Sequence, residues 1–402
     1  MRRSVDLLPI VFTVCLLPLA KPAPAQSSPS RGTVIVPESS IEYAADAGVR
    51  AHTNFLIFVP DGAPIAQDGP PAAAETPASL ACVYELVSQV KGCPISRTKK
   101  VPTGGSEAVA IVDADDNPDA ATDLKVFSKQ FGLPQADFKV VYASGQQPPN
   151  DPGAWSLEEA LDIEWAHAMA PKAKIYLVEA ASDSFSDLLA AESVASGLVA
   201  EAGGGEVSNS WGSSEFTGEQ NDDSYFTTSG VVYFASTGLK GDVLYPSASP
   251  NVVAAGGTTV NRNSSGDFTG ETGCCYSGDS VYEPRPSYQD GIKKIVGDYR
   301  GTPDFSFDAS ASSGVAVYDA DGGYGWVELS GTSVSSPSLA GIVNCAGKFF
   351  DSTDKELTTI YDELQNKREY HEWFRDIIKG TGCRVGWDFC SGVGSDLAYH
   401  GK

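Results

Sequence analysis

The sequence predicts an α/β protein with a mostly parallel central sheet and helices on both faces. Short apolar runs of strand length alternate with stretches of helical length along most of the chain, and no internal repeat breaks the alternation. Composition agrees. The 402 residues are 42% hydrophobic and include 41 Gly and 25 Pro, which is enough apolar material for a large core and enough turn formers for a loop-rich globular protein.

The chain opens with Arg2-Arg3, an apolar run from Leu7 to Ala20 and the small-residue string Ala23-Pro24-Ala25. This is the order of a cleaved signal peptide, placed at residues 1–25, and it predicts a secreted, extracellular protein. No later run reaches the length of a membrane span, so no membrane anchor is expected. Residues 26–75 read as a short prosegment or linker. A Ser/Pro-rich stretch and the Pro/Ala-rich Gly69–Glu75 flank one strand-like run, Phe55–Val59.

The main domain is expected over residues 76–402. It enters through Thr76-Pro77 and Gly104-Gly105 into the apolar strand Ala108–Val112, which ends at Asp113. Further strands are predicted at 139–142, 175–178, 231–234 and 252–255, and helices around 119–131, 156–169, 186–201 and 334–348. That alternation gives the parallel sheet.

Fifty-two acidic against 28 basic side chains leave a net charge of -24, which excludes nucleic acid and anionic membranes as natural partners. Such a surface suits a protein working in acid, and equally one merely kept soluble outside the cell. Cys15 falls in the signal. Of the remaining seven cysteines, Cys82 with Cys93 and Cys383 with Cys390 close short loops and are expected to pair, while Cys274, Cys275 and Cys345 leave at least one thiol over.

The chemistry-bearing strings are far apart. Ser330-Gly331-Thr332-Ser333 precedes a small-residue helical run. A serine there gains the field of a helix N-terminus and backbone N–H groups for an oxyanion, although Ser and Thr are also ordinary N-caps. Ser156 to Trp165 reads as a helix with Ser156 as its N-cap, and Glu158 and Asp162, four apart, share one face. Two adjacent carboxylates share a proton and can run acid-base chemistry; a solvated acidic face would have the same spacing. Of the four histidines, His52, His167, His371 and His400, none stands in a His-Gly-Thr string. His167 lies five residues beyond Asp162 and off its face.

Together with Ser208-Asn209-Ser210-Trp211-Gly212, Tyr245-Pro246 through Gly256-Gly257-Thr258, and Arg300-Gly301-Thr302-Pro303-Asp304, these strings resemble the sedolisin family in that family's order, from about Thr76 to Ser395. The resemblance implies a subtilisin-like fold and a serine-type endopeptidase that works at acidic pH through an acyl-enzyme. It implies Ser333 as nucleophile, Glu158 as general base and Asp162 as the carboxylate sharing its proton. Ser210, Trp211 and Gly212 would lie along the substrate backbone. Protein or peptide substrates and a monomer are expected. It also implies one structural calcium ion, with side-chain oxygens from Asp376 and Asp388 and backbone oxygens from Ile377, Arg384 and Gly386. Without the resemblance, that segment reads as a Gly-rich loop stapled by Cys383 and Cys390.

Two features depart from the family. Its oxyanion aspartate is replaced by Leu239 in Ser236-Thr237-Gly238-Leu239, with Asp242 three residues on, so a catalytically impaired peptide-binding protein is the alternative reading. The segment before the main domain is also much shorter than the family's prosegment.

Overall fold

The computed structural model describes residues 32–65, 67–239 and 241–400; the signal peptide expected at 1–25 lies outside the described residues. In spatial order, its largest sheet carries Asp137–Tyr142, Lys174–Ala180, Ala108–Ala114, Gly205–Asn209, Val231–Ser236, Val253–Arg262 and Phe305–Asp308, every neighbouring pair parallel. Ser395–Asp396 extends it in parallel, and Phe374–Arg375 closes that edge antiparallel. Phe268–Cys275 adds an antiparallel strand to Val253–Arg262. The sheet is mostly parallel, as the alternation requires.

Successive side chains of a strand point to opposite faces, and here both faces are buried. Val109, Ile111, Ile175, Leu177, Val232 and Phe234 feed one core, with the helices Trp155–Met169 and Thr332–Ala346. Ala108, Ala110, Val112, Tyr176, Val178 and Tyr233 feed the other, against the helix Phe185–Glu201. This is why the strands read as continuous apolar runs.

The helix holding Glu158 and Asp162 departs from expectation at its start. Its first residue is Trp155 and its N-cap is Ala154, with no side-chain cap; Ser156 instead accepts the Gly153 N–H through its hydroxyl at 2.9 Å. All fifteen residues are buried, so its acidic face is not a solvated one.

The strand-like run near the N-terminus is a strand, Phe55–Pro60. It pairs antiparallel with Gly32–Ile35 on one side and with Gly325–Gly331 on the other, in a four-stranded sheet completed by Val315–Asp319. Cys82–Cys93 and Cys383–Cys390 are bonded as expected. Cys274 bonds its neighbour Cys275, and Cys345 is a free thiol.

Strand order places the site. From Ala108–Ala114 the chain passes outward to Asp137–Tyr142, returns through Lys174–Ala180, and then crosses to Gly205–Asn209 on the opposite side. That reversal opens a crevice at the carboxyl ends of Ala108–Ala114 and Gly205–Asn209, where open α/β sheets bind ligands. Asp113 is the last residue but one of the first of these strands, and Ser210 follows the other.

Candidate active site

Ser333 is the second residue of the helix Thr332–Ala346. Gly331 caps that helix at φ 113°, and a Cβ there would lie 2.0 Å from the Asn54 carbonyl oxygen, so both conformation and space demand glycine. The Thr332 hydroxyl accepts the Gly238 N–H at 2.9 Å, which ties the turn after Val231–Ser236 to the first turn of the helix.

The Ser333 hydroxyl donates to Glu158 Oε2 at 3.0 Å, and it lies 3.3 Å from the Ser210 carbonyl oxygen. Ser210 Oγ in turn reaches the Ser333 carbonyl oxygen at 3.3 Å. Trp211 donates its indole N–H to the Val112 carbonyl at 2.9 Å, which anchors the strand Trp211–Ser214 beside the serine. The structure thus brings together Ser333, Glu158 and Ser210, with Asp162 one helical turn from Glu158 and Trp211 and Gly212 on the adjoining edge. Ser333, Glu158 and Asp162 are all fully buried.

Burial fixes the protonation of the pair. It holds the Glu158 carboxyl well above its usual range, and the charges of Asp162 and Asp113 push the same way. Burial also pushes Asp162 up to about 8, against the downward pull of Ser210 and Glu158. The pair therefore keeps a proton at neutral pH and has one to share.

Sequence reasoning missed how far this acidic interior extends. Asp113 sits opposite Glu179 in the parallel register of their strands. Burial raises Asp113, helped by Asp162 and Glu179, and raises Glu159, helped by Glu179, Asp113 and Asp116. Glu179 rises to about 9, through burial and then Asp116. The available signals were Asp113 at the end of an apolar strand and Glu179 inside another.

Among the described residues, no histidine is hydrogen-bonded to Ser333. His167 is buried with Nε2 3.0 Å from the Pro134 carbonyl oxygen, and burial lowers its pKa, which leaves a neutral packed ring. His52 Nδ1 lies 3.1 Å from the Thr53 carbonyl oxygen.

Leu239 and Asp242 line a small cavity beside Asn54, and Asp242 is exposed. Neither makes a hydrogen bond to Ser333 among the described residues. In the C-terminal loop, Asp376 accepts the Gly386 N–H at 3.1 Å, and Asp388 accepts the Arg384 N–H at 2.5 Å and those of Cys390 and Ser391. The loop gathers both carboxylates and bonds them to its own amides. Ile377 is buried beside them, while no cluster of three or more His, Cys, Asp or Glu side chains is arranged for a metal among the described residues.

No family model matches the chain. Curated relatives are sedolisin of Pseudomonas sp. (strain 101), 26% identical over 353 residues, and kumamolisin of Bacillus sp. (strain MN-32), 28% identical over 336 residues. The alignments cover 74% and 73% of this chain, and the chain spans only 57% and 59% of those relatives. The chain is a homologue of the sedolisins. Solved structures agree on the fold. Pseudomonas sedolisin, a serine-carboxyl proteinase complexed with two molecules of pseudo-iodotyrostatin, superposes with a TM-score of 0.66 at 21% identity, covering 81% of this chain and 96% of that one. The S41 psychrophilic protease gives 0.53 at 18% identity, covering 81% and 99%. Sphericase gives 0.51 at 19%, covering 80% and 98%. The subtilisin-like architecture expected from the sequence is the one these sedolisin and protease structures share.

Proposed function

We propose that this sedolisin homologue is a secreted endopeptidase that hydrolyses peptide bonds in acid through Ser333, Glu158 and Asp162. The observation that carries it is the 3.0 Å hydrogen bond from the Ser333 hydroxyl to a buried glutamate whose neighbour, one turn away, is a second buried carboxyl. Glu158 takes the serine proton as Oγ attacks the substrate carbonyl, and returns it to the departing amine. Asp162 holds the shared proton and orients Glu158. Ser210, Trp211 and Gly212 offer an edge to an extended substrate. The test is incubation of denatured casein with the protein between pH 3 and 7, before and after prolonged standing in acid; no cleavage at any pH refutes the reading.

Ionisation sets a further limit. Catalysis needs one proton and one charge on the pair, so activity falls at low pH when both carboxyls are protonated, and again as pH rises through the upper ionisation. Burial and mutual repulsion hold the two ionisations apart, so a bell-shaped dependence of kcat/KM on pH is expected, and a flat one would take the pair out of the chemistry. The oxyanion has the Ser333 N–H but no side chain at position 239 to join it. Leu239→Asp is expected to raise kcat by roughly a hundred-fold, the usual worth of one such donor. An unchanged kcat in a folded variant would show that the hole is complete without it.

The export signal and the absence, among the described residues, of any helix long and apolar enough to cross a membrane support secretion. In this reading Asp376 and Asp388 would supply side-chain oxygens, and Ile377, Arg384 and Gly386 carbonyl oxygens, to a structural calcium ion, the hard-donor set such a cation takes. A chelator is expected to lower the melting temperature by roughly 5–10 °C. A melting curve indifferent to prolonged chelation would leave a loop held by its disulfide alone.

A further inference from the structure

Cys274 and Cys275 are bonded to each other with no residue between them. A bridge stabilises a fold chiefly by closing a loop of the unfolded chain, and a bridge between neighbours closes none. Cys82–Cys93 and Cys383–Cys390, separated by 11 and 7 residues, do close loops. What the Cys274–Cys275 ring can fix is the local path of the backbone.

That path leads to both sides of the serine. In the pairing of Phe268–Cys275 with Val253–Arg262, Gly273 faces Thr258 and Cys275 faces Gly257, so Cys274 is the extra residue of a β-bulge. Bulges re-aim the residues beyond them. Gly257 makes room for the ring: a Cβ there would lie 2.8 Å from Cys275 Sγ, 3.0 Å from Cys274 Sγ and 2.8 Å from the Ala309 Cβ. The Ala309 carbonyl in turn accepts the N–H of Gly331, the cap of the Ser333 helix, at 2.7 Å. Beyond the bulge, the Tyr276 ring covers Gly241 so closely that a Cβ at 241 would collide with it. Ser277 donates its N–H to the Phe389 carbonyl at 2.8 Å, and its hydroxyl shares a 2.7 Å hydrogen bond with that of Thr302. Gly241 belongs to the turn that carries Leu239 and Asp242, and that turn starts at Gly238, whose N–H is held by the Thr332 hydroxyl beside Ser333. The ring therefore bears on the nucleophile's helix through Ala309 and on the wall of the site through Tyr276.

We infer that Cys274–Cys275 is a redox site for a small dithiol: closed, the ring holds Tyr276 on the Leu239 turn and keeps the Ser333 site in shape, and opened, it lets both slacken. Its effect on hydrolysis rests on the peptidase reading above, whereas the movement itself does not.

Attack falls on Cys274, which is half-buried, because Cys275 is only 5% exposed. A thiolate of the donor bonds to Cys274 Sγ, the sulfur–sulfur bond breaks, and Cys275 leaves as a thiolate that takes a proton. The donor's second thiolate then attacks the donor sulfur of the mixed disulfide. This closes the donor's own disulfide and releases Cys274 Sγ, which takes the second proton. Two electrons pass from donor to protein, and the fold loses no loop closure. The freed thiols stay on neighbouring residues at high effective concentration, so an excess of a small disulfide recloses the ring by the same exchange.

The full chain is treated with graded dithiothreitol at pH 7, and one portion is alkylated and mapped by mass spectrometry. Cys274 and Cys275 are expected to be labelled while Cys82–Cys93 and Cys383–Cys390 stay bonded. A second portion, moved to pH 4 without alkylation, should hydrolyse casein roughly tenfold more slowly than untreated protein, the scale of loss that a small misplacement at a reacting centre brings. Excess glutathione disulfide at pH 7 should restore the rate. Hydrogen exchange should quicken on reduction at the Gly238 and Ser277 amides, which are bonded to Thr332 and Phe389. The double variant Cys274→Ser, Cys275→Ser should match the reduced rate and ignore the donor. A pair that stays bonded until the other two bridges open, a reduced protein unaltered in exchange or in rate, or a double variant as fast as the oxidised wild type overturns the inference and leaves the peptidase reading standing. Casein untouched in both states while exchange quickens overturns the peptidase reading and leaves the redox site. Casein untouched and exchange unaltered overturns both.

Discussion

Ser333→Ala is expected to lower casein hydrolysis by roughly a hundred-thousand-fold while leaving the melting temperature nearly unchanged. The loss follows from removing the atom that would bond to substrate carbon. Stability is spared because Glu158 and Asp162 share a proton between them, so losing the hydroxyl removes a single hydrogen bond. Glu158→Gln keeps the shape and a hydrogen bond to Ser333 but cannot take a proton, and it should cost roughly a thousand-fold or more. Groups that act as a unit do not add, so the double variant should be no slower than Ser333→Ala. A double variant slower by the product of the two losses would mean that Glu158 acts independently of the serine. Activity surviving Ser333→Ala in a homogeneous preparation would remove the serine from the chemistry altogether.

Legibility in the sequence followed burial. The strands Ala108–Ala114, Lys174–Ala180 and Val231–Ser236 were readable because parallel strands covered on both faces must be apolar throughout, which leaves unbroken runs. Helices were readable by length and alternation with those strands. The start of the acidic helix was not, because Ser156 has the chemistry of an N-cap and the fold spends its hydroxyl on Gly153 instead. Ser333 and Glu158 could be proposed from their local strings, but the opposition of Asp113 and Glu179 is set by the register of two strands distant in sequence, which no local pattern encodes. Residues 49–54 were the least legible. They carry no alternation of their own, and their extended form is imposed by the edges at Asp183–Phe185 and Trp211–Gly212, each more than a hundred residues away.

Stability is expected to fall as pH rises from 5 to 8, with a melting temperature lower by roughly ten degrees or more at the upper value. The sign follows from direction. Glu158, Glu159, Glu164, Glu206, Asp113 and Asp308 are all held well above their usual range, with burial the first cause in each case. A carboxyl whose folded pKa exceeds its unfolded one contributes fully below the unfolded value, and that contribution is lost as pH rises through the folded one. Glu192 isolates the effect because it lies on the helix Phe185–Glu201, outside the acidic interior around the serine. Burial raises it to about 8, against hydrogen bonds from Asn209 and Ser196. From an unfolded value near 4.3, holding its proton up to pH 7 costs roughly 3–4 kcal/mol that is not incurred in acid. Glu192→Gln, neutral at every pH, should therefore leave the melting temperature unchanged at pH 4 and raise it at pH 8, which flattens the slope by one group's share. A melting temperature flat between pH 5 and 8 in the wild type would mean that these carboxyls ionise freely in the folded state, and the interior would then have no reason to favour acid. A falling one makes acid the condition in which the fold is at its best, and the same burial that sets the fall keeps a proton on the pair beside Ser333.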